Sequence, residues 1–118
     1  METKVEWQGI PLPEFISGLP EIEVPFAGVK GWLVQGEERQ VVFFELAQGL
    51  EVPSHSHGAQ WGMVIEGRMQ FTAGGETRIL EKGDSYIVPA GVEHSAVFLT
   101  KVYAVDVFAD RERYKAKA

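Results

Sequence analysis

The amino-acid sequence predicts a single all-β domain, a sandwich or barrel built from short antiparallel strands. Short apolar runs rich in Val, Ile and Phe recur along the chain, and Gly, Pro and acidic residues separate them. The chain has 118 residues, of which 45% are hydrophobic. A chain of this size can bury one core without disulfides, but it is too short for two domains.

The elements follow from these runs in chain order. A Pro-rich lead, GIPLPEFISGLPEIEVPF, comes first, and only PEFISG within it could form a short helix. A loop is predicted at QGLEVPSHSHGA, and the polar tail DRERYKAKA is predicted to be solvated or briefly helical. The dipeptide Gly74-Gly75 readily takes the positive φ angles of a tight hairpin. Strands are predicted at GWLVQ, RQVVFFELA, QWGMVIEG, RMQFTA, ETRIL, SYIVP, EHSAVFLT and VYAVDVF.

Composition excludes several classes of partner. Eleven Lys and Arg against 17 Asp and Glu give a net charge of -6, and the basic residues are scattered, so nucleic acid and anionic membranes are poor partners. The apolar runs fall far short of the roughly eighteen residues that a membrane helix needs. There is no cysteine, and the start METKVEW lacks the apolar stretch of a secretory signal. We therefore expect a cytoplasmic protein.

Two of the chain's three histidines, His55 and His57, stand two positions apart. This spacing places two side chains on one face of an extended chain but on nearly opposite sides of a helix. Gln60 follows His57 at a step of three, which would put it on the other face of a regular strand. Gly58 and Ala59 offer a place to reset that alternation, because glycine tolerates backbone angles that other residues avoid. With the reset, all three side chains can converge.

The third histidine, His94, comes just after a Pro-Ala-Gly turn. On its predicted strand, His94, Ala96 and Phe98 share one face. Imidazole is the commonest transition-metal ligand, and a neutral amide oxygen can complete such a site.

At this point the sequence resembles the cupin family, in both of its motifs. The first pattern, G-x5-H-x-H followed by a ligand carboxylate or amide, x6 and G, and the second, G-x5-P-x-G-x2-H, each have a match. The matching residues are Gly49, His55, His57, Gln60 and Gly67 for the first motif, and Gly83, Pro89, Gly91 and His94 for the second.

The resemblance implies one cupin domain over residues 1–118, with a double-stranded β-helix, or jelly-roll, barrel. The N-terminal arm would cover about residues 1–28 and the barrel about residues 29–109, before the polar tail. The resemblance also implies one divalent transition-metal ion, Fe, Mn, Ni, Co or Zn. The implied ligands are His55, His57, Gln60 and His94.

Two positions depart from the family pattern. Gln60 replaces the usual acid and follows His57 with one residue fewer than is common. Phe98 stands where the second motif often ends in Asn. No catalytic residue is identified: Tyr86 and Tyr103 are candidates for handling protons, and core packing is the alternative for both.

Two functions remain open on the sequence. One is a small metalloenzyme of dioxygenase, isomerase or lyase type, acting on a small oxygen-rich or anionic molecule. The other is a non-catalytic module that binds or senses a small ligand, because fold does not fix function. Small cupins commonly form dimers, and the apolar N-terminal segment predicts a homodimer. Its interface is expected at or near Phe15, Ile16, Ile22 or Phe26.

Overall fold

The computed structural model describes Val5 and residues 11–118. Residues 1–4 and 6–10 of the predicted N-terminal arm lie outside the described part. Within it there are one short helix and nine strands. They are α1 (Glu14–Ser17), β1 (Val29–Gln35), β2 (Gln40–Leu46), β3 (Glu51–His55), β4 (Gln60–Glu66), β5 (Arg68–Ala73), β6 (Glu76–Glu81), β7 (Ser85–Val88), β8 (His94–Phe98) and β9 (Val102–Phe108). The all-β prediction is confirmed.

The strands form two antiparallel sheets. One sheet has the order β1-β2-β9-β4-β7, and the other has the order β3-β8-β5-β6. Both sheets place strands that are distant in sequence side by side, β2-β9-β4-β7 in one and β3-β8-β5 in the other, as in a jelly roll. The Gly74-Gly75 turn joins β5 to β6 with φ angles of 57° and 81°, as predicted for the hairpin.

The core lies between the sheets and follows the period of two. Along β9, Val102, Ala104, Asp106 and Phe108 are buried, while the residues between them are only partly buried. The buried positions of β2 and β8 alternate in the same way. Alternation of this kind is what fixes each strand's register against a buried face.

The loop predicted at residues 48–59 is shorter than expected, because it contains β3. Val52 and His55 of β3 pair with β8, with an irregularity in register between them. Pro53 interrupts the run and no long apolar stretch marks it, so local pattern favoured a loop. β3 lies at the edge of its sheet, where a proline is tolerated.

The polar C-terminal tail is only partly solvated: most of its residues are exposed as expected, but Arg113 and Tyr114 are half-buried. The Tyr114 ring packs against Phe44 and Phe108, with ring centroids 5.9 and 5.4 Å apart. The amide of buried Gln40 donates to the Tyr114 carbonyl at 2.8 Å and accepts the Tyr114 N–H at 3.0 Å. Ala116 pairs with Ile22 in an isolated bridge. The tail therefore closes over one end of the barrel.

The N-terminal segment is also partly inside. Ile22 is only 1% exposed and belongs to the core, so it offers no surface to a second copy, whereas Phe15 is 92% exposed. Across Val5 and residues 11–118, no helix has the length and hydrophobicity needed to cross a membrane.

Candidate metal centre

His55 and His94 are brought together by strand pairing. They are direct partners in the register between β3 and β8, and their ring centroids lie 4.3 Å apart. Directly opposed residues of antiparallel strands have side chains on the same face and within contact distance. The two motifs therefore meet through the four-stranded sheet.

His57 joins this pair from the loop that follows β3. Its carbonyl accepts the N–H of Gly91 at 2.9 Å, which ties the loop to the Pro-Ala-Gly turn before β8. Its ring centroid lies 5.3 Å from that of His55 and 4.8 Å from that of His94. One ring nitrogen from each histidine can be chosen so that all three lie within 4.8 Å of one another. The predicted convergence of the imidazoles is present.

Hydrogen bonds to the backbone decide which nitrogens are free. The Nδ1 atoms of His55, His57 and His94 lie 2.9, 2.8 and 3.0 Å from the carbonyl oxygens of Pro53, Gly58 and Val92. A carbonyl oxygen only accepts, so each Nδ1 carries the proton and donates it. Each Nε2 then keeps its lone pair, which is the form that ligates a metal.

Gln60 begins β4 and is 9% exposed. Its Nε2 donates to Oδ2 of Asp106 at 2.5 Å, whereas its Oε1 is buried with no hydrogen-bond partner in the described part of the chain. Nε2 of His94 is buried and unpartnered in the same way. Buried polar atoms without partners are costly, and a metal ion would satisfy both lone pairs. The donor set therefore fits a divalent transition metal.

Gly58 serves a different purpose from the one the sequence suggested. It is not among the glycines with a positive φ. Its N–H donates to Oδ2 of Asp110 at 2.8 Å, and a Cβ at this position would overlap the Asp110 carboxylate. Close approach, rather than an unusual backbone angle, therefore requires glycine in the loop that resets the alternation between His57 and Gln60.

Asp106 is a site residue that the sequence analysis missed. It is 2% exposed, and Oδ2 accepts both Gln60 Nε2 and the Tyr86 hydroxyl, the latter at 2.6 Å. Burial raises the pKa of Asp106 to about 6, although the two hydrogen bonds oppose that rise. Burial and the charge of Asp106 raise the pKa of Tyr86 well above its usual value. The available signal was an acid at an inward position of the alternating strand VYAVDVF.

The comparisons with known proteins agree with this geometry. The profile of the Cupin domain family matches residues 42–108. The chain belongs to the cupin family. No curated protein is significantly similar to it in sequence.

Solved cupin structures share the fold. An RmlC-like cupin from Shewanella frigidimarina is 32% identical, with a TM-score of 0.70, and the match covers 75% of this chain and 82% of that one. KdgF from Halomonas sp. is 24% identical, with a TM-score of 0.68 and coverage of 74% and 83%. Oxalate decarboxylase from Bacillus subtilis, a protein with Mn(II) centres, is 24% identical, with a TM-score of 0.68 and coverage of 82% and 29%.

The histidines of this cupin line a cavity of about 680 Å³ between the two sheets. Phe71 and Tyr86 form part of the wall with their rings 4.5 Å apart, and Phe98, at the position where the family often has Asn, is buried in it. Tyr103 does not line this cavity. Its ring lies 5.3 Å from the Lys101 ammonium, so only Tyr86 of the two predicted tyrosines belongs to the site.

The tail of the cupin adds a positive charge to the cavity wall. Arg113 lines the cavity with its guanidinium 4.5 Å from the centroid of the Tyr114 ring, and its Nε is buried without a partner among the described residues. Burial lowers the pKa of His57 and of His94, and the charge of Arg113 contributes to both shifts. This residue lay in the segment that the sequence analysis assigned to solvent.

Proposed function

We propose that this cupin holds one divalent transition-metal ion through Nε2 of its three histidines and Oε1 of Gln60, and uses it to act on a small anionic molecule. The observation that carries the proposal is the convergence of three imidazoles whose Nδ1 atoms are all hydrogen-bonded to carbonyls. The unpartnered Oε1 of Gln60 supports the fourth ligand. The candidate ions are Fe, Mn, Ni, Co and Zn, and the Mn(II) centres of the similarly folded oxalate decarboxylase favour including Mn.

The neutral ligands determine what the site prefers. Three imidazoles and an amide leave a divalent ion its full charge, so it would act as a strong Lewis acid toward carboxylates, enolates or hydroxide. A metal ion held by these four ligands would still have room for a small molecule to bind it. The aromatic wall at Phe71 and Phe98 would limit the access of water and so strengthen electrostatic interactions inside the cavity.

Two further features favour an enzyme over a binding module. Asp106 lines the same cavity, so a buried carboxyl group whose pKa is raised by burial lies beside the ligand space. Its partner Tyr86 offers a hydroxyl on the same wall. A screen of small carboxylates and diketones, under air and under argon, tests this. Turnover only in air indicates a dioxygenase, turnover in both indicates an isomerase or lyase, and binding without turnover indicates the non-catalytic module.

Arg113 is the residue that we expect to select anions. Its planar guanidinium can donate two parallel hydrogen bonds to a carboxylate. It lies over the Tyr114 ring, and Gln40 fixes Tyr114 through hydrogen bonds to its backbone. Replacing Arg113 by alanine should weaken the binding of a carboxylate ligand about tenfold or more, because one charge-assisted contact is lost. Isothermal titration calorimetry on the metal-loaded protein measures the effect.

Arg111 provides the matched control. It is exposed and does not line the cavity, and its side chain lies two residues away on the same tail. R111A removes the same charge and should leave carboxylate affinity within about twofold, since an exposed charge is screened by solvent. Equal losses in R113A and R111A would mean that only overall charge matters.

We also propose that the chain is a homodimer, as one cupin domain over residues 1–118 in the cytoplasm. An apolar row crosses the outer face of the five-stranded sheet, from β1 to β7. It consists of Val34, Val41, Val107, Trp61 and Ile87. Ile87 is 73% exposed, and Phe15 and Phe26 add 92% and 54% exposed rings nearer the N-terminus. Apolar surface of this extent is typical of an interface.

The dimer is expected to bury more than about 1,000 Å² in total at its interface. Light scattering at micromolar concentration should therefore give twice the mass of one chain. I87K places a charge in the proposed interface and should shift the protein toward monomer. I79K is the control, because Ile79 is 43% exposed on β6 of the other sheet. A monomeric mass for the unmodified chain would rule the dimer out.

A further inference from the structure

Asp106 and Tyr86 reach Gln60 through one row of the five-stranded sheet. Gly62 of β4 pairs with Tyr86 of β7 on one side and with Asp106 of β9 on the other. The Tyr86 hydroxyl and the Asp106 carboxylate meet across Gly62, where a Cβ would overlap both. Gln60 lies two residues before Gly62, so its side chain is on the same face and reaches the carboxylate diagonally.

The direction of the amide matters for metal binding. The two ends of a glutamine amide have nearly the same size and shape, but only the oxygen can ligate a cation, because the nitrogen carries two protons and no free lone pair. A glutamine whose amide could turn freely would present its NH2 group to the histidines part of the time. A fixed orientation is therefore a condition for a four-ligand site.

An ionised carboxylate imposes that orientation. It accepts hydrogen bonds and donates none, so it can pair only with Nε2 of Gln60. Oδ2 of Asp106 also accepts the Tyr86 hydroxyl at 2.6 Å, which holds the carboxylate in place. With Nε2 committed to Asp106, Oε1 is left buried and without a partner among the described residues.

We propose that Asp106, held by Tyr86, is a positioning residue that keeps the Gln60 amide turned with its oxygen toward the three histidines. The inference rests on the proposed metal site. A purely structural role explains the arrangement less well, because an amide side chain at position 106 would accept the tyrosine hydroxyl equally and would avoid burying a charge. Such an amide could also donate a hydrogen bond to Gln60, so it would not fix the direction of the Gln60 amide.

D106N tests this by supplying a group that both donates and accepts. The amide of Gln60 is then free to turn, and we expect the affinity for Co(II) or Mn(II), measured by competition with a chelator, to fall about tenfold to a hundredfold. The absorption spectrum of the Co(II) form should change toward that of Q60A. Thermal unfolding of metal-free D106N should occur at or above the temperature of the unmodified protein, because a buried charge is gone.

The exchanged variant Q60E/D106N controls for the lost charge. It keeps the same net charge. The carboxylate at position 60 presents an oxygen to the histidines in either orientation, and its second oxygen accepts a hydrogen bond from the amide at position 106. Metal affinity should return to that of the unmodified protein or exceed it. Y86F, which keeps the carboxylate but removes its support, should cause a smaller loss than D106N.

The outcomes separate the two proposals. If the unmodified protein binds no metal, the proposed function fails and this inference fails with it. If the unmodified protein binds metal and D106N binds equally well, only the role of Asp106 is overturned. If the exchanged variant, which keeps the net charge, is as weak as D106N, the effect comes from altered packing at position 106, and amide orientation is again overturned.

Discussion

Replacing His94 by alanine is expected to abolish stoichiometric metal binding. His94 is 5% exposed, its Nδ1–H is held by the Val92 carbonyl, and its Nε2 has no other partner among the described residues. The substitution leaves only His55, at the end of β3, and His57, in the loop that follows, with no imidazole opposite them on β8. Each imidazole contributes a full ligand bond, so the remaining set is short of what a stable site needs.

Metal content by mass spectrometry and affinity by chelator competition check this prediction. V97A is the matched control, because Val97 lies on β8 but alternates with the buried residues His94, Ala96 and Phe98 and so faces away from the histidines. It should bind metal as the unmodified protein does. Unfolding of metal-free H94A, followed by circular dichroism, shows whether the fold persists. A folded H94A protein with full metal content would exclude His94 as a ligand.

The second large effect is the loss of metal as pH falls. Metal competes with protons for neutral imidazoles. Because burial lowers the pKa of His57 and His94 below 6.5, both are less protonated near that pH than a free histidine. We therefore expect full loading well above pH 6.5 and a steep loss as the pH falls through and below it. Equilibrium dialysis of Mn(II) or Co(II) from pH 8 to pH 4.5 measures it.

The same shifts determine the stability of the metal-free protein. The unfolded chain takes up protons on these histidines at about pH 6.5, before the folded chain does, so the free energy of unfolding should fall as pH drops below 6.5. Asp106 acts in the opposite direction. Its folded pKa of about 6 exceeds the unfolded value of 3.8, so the folded chain binds that proton first and gains stability as pH falls through 6.

These opposing contributions can be separated with D106N. In that variant only the histidine contribution remains, so the melting temperature should fall more steeply between pH 6.5 and pH 5 than in the unmodified metal-free protein. Metal loading that is independent of pH across the whole range would contradict ligation by imidazole.

Much of the fold was readable from the sequence because its signals are local. Alternating apolar residues marked β2 and β9, and Gly74-Gly75 marked its hairpin, since side-chain period and turn chemistry act over a few residues. The histidines were found through their spacing and the glycines and prolines around them. These features need no knowledge of distant parts of the chain.

What was missed depends on contacts between distant segments. The tail composition predicts solvent exposure, but a buried amide at Gln40 binds the backbone of Tyr114 and brings Arg113 to the cavity. Asp106 stood at an inward position of its strand, and that was a usable signal. Its partners Gln60 and Tyr86 could not be read from the sequence, because sheet order brings β4, β7 and β9 together.

Metal analysis of protein purified without a histidine tag is the direct test of the proposed site. We expect one divalent transition-metal ion per chain, either as purified or after stripping with a chelator and reloading, and its loss in H94A but not in V97A. Protein that retains its fold but takes up no divalent transition-metal ion at pH 7.5, even after reloading, would contradict it.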